Sequence, residues 1–515
     1  MANNNVSTIK IEEVKPHPVM ETLSGVQYCI NSNPPLLESI LLGFQHSFLT
    51  LGIVTLVSSL IVPQMGGSNH DKANVIQSMM FVSAINTLLQ TLIGTRLPVV
   101  IGASHTFLTP MTSIVLAMRI SYINHQLPQQ TFETTMARMQ GALLITSVIQ
   151  IILGFSGIWR LFVRFLSPLS MVPLISFTGL GLFSLGFPML VDCVEIGLPQ
   201  LILMLIFSQY VSSFLKTNKL IFDRYALIFA TAVVWVYALI LTASGVYNNR
   251  PLTTQLTCQT DRAGLMQEAD WVYLPRPFQW GKPTINLREA TPMVFAGLVA
   301  LVESTGTFIA AARYASATPV PPSVISRGTF WLGVGTLLNG IFGAVAGSTA
   351  SVESAGLLGL TRVGSRRVIQ ISAGKFTAFF ASVPFPLMAA SYCILYAYFC
   401  NLNSFRTLFI LGFSFFMAIS VPQHFKDYML RFNLSPLQAK PKWFNDTVAS
   451  IFVSSPVVAA ILGMLLDNTL NSEEEASRND SGKRWWERFI QFTKDIRNAE
   501  FYSLPCRLNN CFPSL

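Results

Sequence analysis

Two acids stand where this chain has little else that ionises. Glu303 lies in Val299-Ala300-Leu301-Val302-Glu303-Ser304-Thr305-Gly306-Thr307, and Glu353 in Gly347-Ser348-Thr349-Ala350-Ser351-Val352-Glu353-Ser354-Ala355-Gly356. An ionisable side chain at membrane depth costs about 2.5–3.5 kcal/mol on insertion scales, so each is a functional candidate by default. A carboxylate can accept two adjacent N–H bonds, and bonds that involve charge are the stronger kind. That chemistry suits a small planar molecule edged with N–H and C=O groups. The structural alternative for either acid is an ion pair with an arginine, or a position nearer a loop.

The surroundings of Glu353 cannot form a smooth spanning helix. Gly340, Gly343, Gly347 and a Ser/Thr run interrupt it before an apolar stretch resumes at Ala355 to Leu360. A matching interruption lies in the first half, at Pro98-Val99-Val100-Ile101-Gly102-Ala103-Ser104-His105-Thr106-Phe107, with Pro110 beyond it. Broken helices at membrane depth persist only where they are packed in protein or line a polar cavity. One break in each half is the pattern of inverted repeats with a binding site between them. Free backbone N–H groups and the positive dipole end open each half-helix. Gln45 and His46, in Leu42-Gly43-Phe44-Gln45-His46-Ser47-Phe48, must also find partners in the bundle, either at the site or as interhelical hydrogen bonds. His105 stands at the first break, where it either meets a ligand or packs.

The elements that must carry these residues are hydrophobic and long. Charge-free runs cover Ser39 to Val62, Ala73 to Thr95, Leu97 to Met118, Met139 to Trp159, Phe165 to Val191, Ile196 to Leu215 and Tyr225 to Asn249. The second half adds Thr291 to Ala312 with one acid inside, Gly328 to Val352, Phe376 to Phe405, Thr407 to Phe425 and Thr447 to Leu466. A spanning helix needs roughly 20 apolar residues, and these runs are of that order. Of 515 residues, 51% are hydrophobic and only 11% charged, with a mean hydropathy of +0.50. Soluble proteins carry about 25% charged residues, so a soluble enzyme is excluded and a polytopic membrane protein is implied.

The divisions that follow are a cytoplasmic N-terminal tail (1–35), a first membrane repeat (36–249), an external loop (250–290), a second membrane repeat (291–466) and a C-terminal tail (467–515). The first 35 residues lack the apolar stretch of a cleavable signal, so the first span targets the chain. The net charge of +9 reports topology, not a nucleic-acid partner. Arg160, Arg164, Lys216, Lys219, Arg224, Arg313, Arg327, Arg362, Arg366, Arg367 and Lys375 all flank hydrophobic segments, and with the N-terminus inside they all face the cytoplasm. Trp485, Trp486 and Phe489 could lay one face of a tail helix on the membrane. Among seven cysteines no pairing is evident. Cys193, Cys393 and Cys400 read as small hydrophobes, Cys258 stands alone in the external loop, and Cys506 and Cys511 lie in the tail. No metal site, cofactor motif, nucleophile elbow or P-loop appears.

These segments resemble the nucleobase–ascorbate transporter family, most closely its plant branch, over most of the chain. The resemblance rests on Gln45-His46, Gly102-Ala103-Ser104, Phe155-Ser156-Gly157, Glu303-Ser304-Thr305-Gly306 and Asn401-Leu402-Asn403-Ser404-Phe405-Arg406. Its most specific part is the family motif of Gln/Glu/Pro, Asn, any residue, Gly, four residues, Thr and Arg/Lys/Gly. Here it reads Glu353-Ser354-Ala355-Gly356-Leu357-Leu358-Gly359-Leu360-Thr361-Arg362. The resemblance implies an all-α fold of fourteen spans in two inverted repeats of seven, with core and gate domains and two short strands at broken spans 3 and 10. It implies a homodimer in the plasma membrane. It further implies a symporter of nucleobases such as xanthine, uric acid, uracil, adenine or guanine, working by alternating access, with ascorbate as the rival substrate. Glu303, Glu353, Ser354, Ser104 and His105 would bind substrate, and Gln45, His46, Gly356, Thr361 and Arg362 would support them.

Burial disfavours the charged form of a carboxyl, so Glu303 can take and release a proton during the cycle. A proton is therefore the expected coupling cation, with sodium the alternative. Two acids would repel ascorbate, an anion, unless a cation compensates, which favours bases. Two departures stand out. Ser354 replaces the motif asparagine, losing an amide that both donates and accepts. From Lys375 to Arg406 the chain is shortened: roughly thirty residues suffice for one tilted span or for two that are too short. One span there would send the tail outside and make a non-transporting family member the alternative.

Overall fold

The computed structural model describes residues 26–122, 128–163, 165–166, 190, 192–207, 211, 221–260, 273–372, 384–395, 442–469, 501–502 and 504, with isolated positions between 411 and 429. The shortened stretch from Lys375 to Arg406 falls mostly outside the described residues, as do Trp485, Trp486 and Phe489.

Among the described residues helices dominate, and five of them are long and apolar enough to cross a membrane. The first half holds α1 (Leu36–Ile61), α2 (Asn69–Leu92), α3 (Leu108–Tyr122), α4 (Pro128–Phe155), α5 (Ile158–Val163), α6 (Val194–Leu205) and α7 (Ile221–Ala243). A short helix, α8 (Leu252–Cys258), precedes the second half. There follow α9 (Leu287–Tyr314), α10 (Pro322–Ile341), α11 (Val352–Thr361), α12 (Arg366–Ser372), α13 (Phe385–Leu395), α14 (Lys442–Val453) and α15 (Ser455–Thr469). With 28 residues, α9 is about 42 Å long at 1.5 Å per residue, enough to cross the hydrocarbon core. Local chemistry sets the ends. Ser68 caps α2 in a reciprocal box with Asp71, and Asn286 accepts from Arg288 N at the start of α9.

Small residues let the helices close. A Cβ on Gly154 of α4 would stand 2.2 Å from Phe330 N of α10, so these two backbones touch. Such close approach is how helices associate in lipid.

Both expected breaks are present, and they meet. β1 (Ile101–Ala103) pairs antiparallel with β2 (Ser348–Ala350), in the register Ile101↔Ala350, Gly102↔Thr349 and Ala103↔Ser348. Backbone groups freed by the breaks are satisfied by side chains from the preceding helix. Thr87 Oγ1 on α2 accepts from Ile101 N at 3.0 Å, and Thr336 Oγ1 on α10 accepts from Ser348 N at 3.2 Å. The two halves thus solve the same problem with the same residue type at the same place.

One face gathers the first and the last described segments. Ile30 N bonds Ala315 O, Gln27 N bonds Arg362 O, and Gly364 N bonds Tyr28 O. On that same face Tyr502 OH donates to Thr318 O at 2.7 Å.

The cysteine expectation is corrected. Cys193, just before α6, and Cys258, the last residue of α8, form a disulfide with their Cα atoms 5.5 Å apart. Their separation of 65 residues, and the apolar setting of Cys193, hid the pairing.

Candidate functional site

The strand pair lies against the middle of α9. Ser304 Oγ accepts from Ala350 N at 3.0 Å and meets Thr349 Oγ1 at 3.0 Å, so α9 fixes β2 directly. One residue earlier, Glu303 turns to the other break. Its Oε2 accepts from Thr106 Oγ1 at 3.0 Å and from Ser104 Oγ at 3.5 Å. Glu303 is 3% exposed, yet no described residue bonds its Oε1. That oxygen is open to a ligand N–H.

Glu353 sits in the first turn of α11. Ser351, the N-cap, donates from Oγ to Glu353 Oε2 at 2.7 Å and accepts from Ser354 N at 3.1 Å. A carboxylate at a helix N-terminus is favoured by the dipole there. Ser354 Oγ in turn meets His46 Nδ1 of α1 at 2.8 Å. Motif serine and first-span histidine are therefore one hydrogen-bonded pair, with the donor set by the histidine tautomer.

Of the residues picked out by sequence, Glu303, Ser104, Glu353, Ser354 and His46 join such pairs. His105 is half-buried, its ring without a hydrogen-bond partner among the described residues. The other supporting residues make the following contacts. Gln45 Nε2 donates to Arg224 O at 3.0 Å, where α7 bends at Tyr225. Thr361 Oγ1 donates back to Leu357 O, and Arg362 ends α11 in a left-handed conformation with φ 55°. Gly356 provides room, since a Cβ there would stand 2.8 Å from Leu395 O.

Three contributors escaped the sequence reading. Thr106 holds Glu303, and only its place two residues after Ser104 hinted at it. Ser351 was legible in principle, being a serine placed to cap a resumed helix. Trp159 Nε1 donates to Thr305 Oγ1 at 3.1 Å, tying α5 to the acid-bearing turn of α9. A cavity of about 530 Å³ abuts Thr106 and is walled by Pro110, Trp159, Phe162, Phe295 and Met464. It is almost wholly apolar, and neither acid lines it. Among the described residues no cluster of three His, Cys, Asp or Glu side chains could hold a metal.

Residues 37–427 match the Permease family. The chain is 51% identical to nucleobase-ascorbate transporter 6 of Arabidopsis thaliana, with 100% of each chain covered. It is 50% identical to nucleobase-ascorbate transporter 7 of the same plant, covering 98% of this chain and 97% of that one. Against nucleobase-ascorbate transporter LPE1 of Zea mays the identity is 46%, over 98% and 99%. Among solved structures, SLC26A9 gives a TM-score of 0.49 at 12% identity, covering 90% of this chain and 66% of that one. The transmembrane domain of the cyanobacterial bicarbonate transporter BicA gives 0.45 at 11%, covering 85% and 99%. The alignment with transporter 6 is 534 positions long against 515 residues, so that relative fills at least 19 positions this chain lacks.

Proposed function

We propose that this chain, which belongs to the nucleobase–ascorbate transporters of the permease family, carries nucleobases across the plasma membrane as a cation symporter working by alternating access. One observation carries the reading most: two buried acids, Glu303 and Glu353, stand at the two paired breaks of a multi-pass bundle. Glu303 Oε1 accepts a ring N–H, while N–H groups at the half-helix entries donate to ring carbonyls. The core that carries both breaks then rocks against the gate helices, as in the family's fold of two inverted repeats, and two such chains form the working dimer. Proton exchange at Glu303 couples the step to a gradient. Ascorbate is the less favoured cargo, since its negative charge would meet two carboxylates.

The test is uptake of radiolabelled xanthine, uric acid, uracil, adenine, guanine and ascorbate in cells lacking their own carriers. Saturable uptake of a base, abolished by Glu303→Gln or Glu353→Gln at equal surface abundance, supports the reading. Uptake indifferent to pH and to protonophores would remove the proton from it. Preference for ascorbate would reverse the choice of cargo.

A second reading keeps one specific observation: at least 19 positions of a close relative have no counterpart here. If they fall between Lys375 and Arg406, the second repeat is incomplete and the chain assembles without transporting. Surface expression with no uptake of any compound in the panel would favour that reading.

A further inference from the structure

Two segments dock on the same pair of helices, at opposite ends. On the face of the external loop, Phe278 N bonds Ile341 O at 2.7 Å and Trp280 Nε1 donates to Gly343 O at 3.1 Å, both at the end of α10. Between them Gln279 Nε2 donates to Ser78 Oγ of α2 at 3.0 Å. On the other face, Arg327 at the start of α10 donates from Nε to Gly94 O, just past α2, at 2.7 Å. Its Nη2 donates to Tyr502 O at 3.0 Å, and Tyr502 OH reaches Thr318 O. Tyr502 is 4% exposed, Leu504 is buried, and Phe501 packs on the cluster that holds Ile30 and Val320. Each segment brings an aromatic side chain to the α2–α10 pair.

They differ in how they are held. The external segment belongs to a loop fastened by the Cys193–Cys258 disulfide. Among the described residues the C-terminal segment is held by hydrogen bonds and packing, with Leu504 as its last buried side chain. Burial pushes the Tyr502 phenol above its ordinary range, so the hydroxyl remains a donor at physiological pH. The contact joins a buried guanidinium, the exit of α2 and the turn between α9 and α10, and the exit of α2 leads within a few residues to β1.

We propose that the ends of α2 and α10 on this face are a docking site for the chain's own segment from Phe501 to Leu504, that the segment can leave it, and that its occupancy sets the transport rate. The docking itself stands apart from the proposed cargo; the effect on rate rests on that reading. Docked, the segment makes α2, α10 and the strand pair move as one body. Released, it leaves Arg327 and Thr318 to water, and the core works less efficiently.

The test uses a fluorescent peptide spanning residues 497–508 and three purified chains: full length, full length with Tyr502→Ala, and one ending at residue 498. Saturable binding to the last two, at least ten-fold weaker binding to the first, and loss of binding when the peptide carries Tyr502→Ala are expected. At matched surface abundance, Tyr502→Ala should lower maximal uptake at least three-fold with KM changed less than two-fold. No binding of the peptide to either altered chain overturns the docking site. Binding with unchanged uptake by Tyr502→Ala overturns the control of rate. A chain that binds peptide but carries nothing sinks the transporter reading and leaves the site standing.

Discussion

Thr106 Oγ1 stands 3.0 Å from Glu303 Oε2, so the acid of one half is held by the first turn after the break of the other. Hydrogen bonds to charged groups contribute about 1.5–3 kcal/mol, which corresponds to roughly 10–100-fold in an equilibrium. Thr106→Val keeps the shape and removes the donor. It is expected to weaken substrate affinity about ten-fold, while Thr106→Ser stays within about two-fold of the parent. Competition uptake with unlabelled base reads both, and equal affinity for the valine and serine variants would refute the role.

The breaks themselves are a second test. Thr87 and Thr336 accept from the backbone of Ile101 and Ser348, groups with no helical partner at that depth. An orphaned buried donor costs about 1–3 kcal/mol. Thr87→Val and Thr336→Val should therefore each lower the melting temperature of the purified protein. Gly347 allows no side chain for another reason: a Cβ would lie 2.4 Å from Cζ of Phe107. Gly347→Ala should be worse than either threonine change, with loss of surface expression. A melting curve unaltered by all three changes would mean the strand pair is not fixed in this way.

Much of this was legible because breaking a membrane helix needs conspicuous residues. Single prolines and glycines such as Pro292 and Gly154 leave a span intact, but clustered with Ser and Thr in one apolar stretch they mark β1 and β2, and an acid such as Glu303 stands out against its neighbours. What was not legible depends on contacts across the chain. Ser354 and His46 are 308 residues apart, and nothing local says that they touch. Gln45 adjoins His46, but successive residues on a helix face about 100° apart, and no local pattern announces that its Nε2 donates to Arg224 O at the bend of α7. The Cys193–Cys258 pair failed for the same reason, since a span-flanking cysteine carries no mark of its partner.

That disulfide gives a third prediction. Closing so long a loop stabilises by about 2–4 kcal/mol in typical cases. Cys193→Ser or Cys258→Ser should lower thermal stability, and the two changes together should cost no more than either alone, because both remove one bond. On intact cells, a maleimide that cannot cross the membrane should label position 193 or 258 only after a membrane-impermeant reductant. Labelling without the reductant would show free thiols, and labelling only in permeabilised cells would turn the loop inward.

The fourth concerns the junction of α1 with α7. Arg224 and Glu38 form an ion pair, the guanidinium lies over the Tyr28 ring at 5.5 Å from its centre, and Gln45 Nε2 holds the Arg224 carbonyl. Arg224 is 8% exposed, so solvent screens the pair less than it would at the surface. Glu38→Gln leaves a nearly buried cation with a neutral neighbour, and stability should fall by roughly 1.5–3 kcal/mol. Arg224→Gln should cost a similar amount, and the double change clearly less than the sum, because contacting residues couple. Gln45→Ala removes only the bond to the bend of α7. If Gln45 positions helices and does not touch cargo, uptake should slow while the order of preference among bases stays unchanged. A changed order in the same uptake panel would return Gln45 to the binding site.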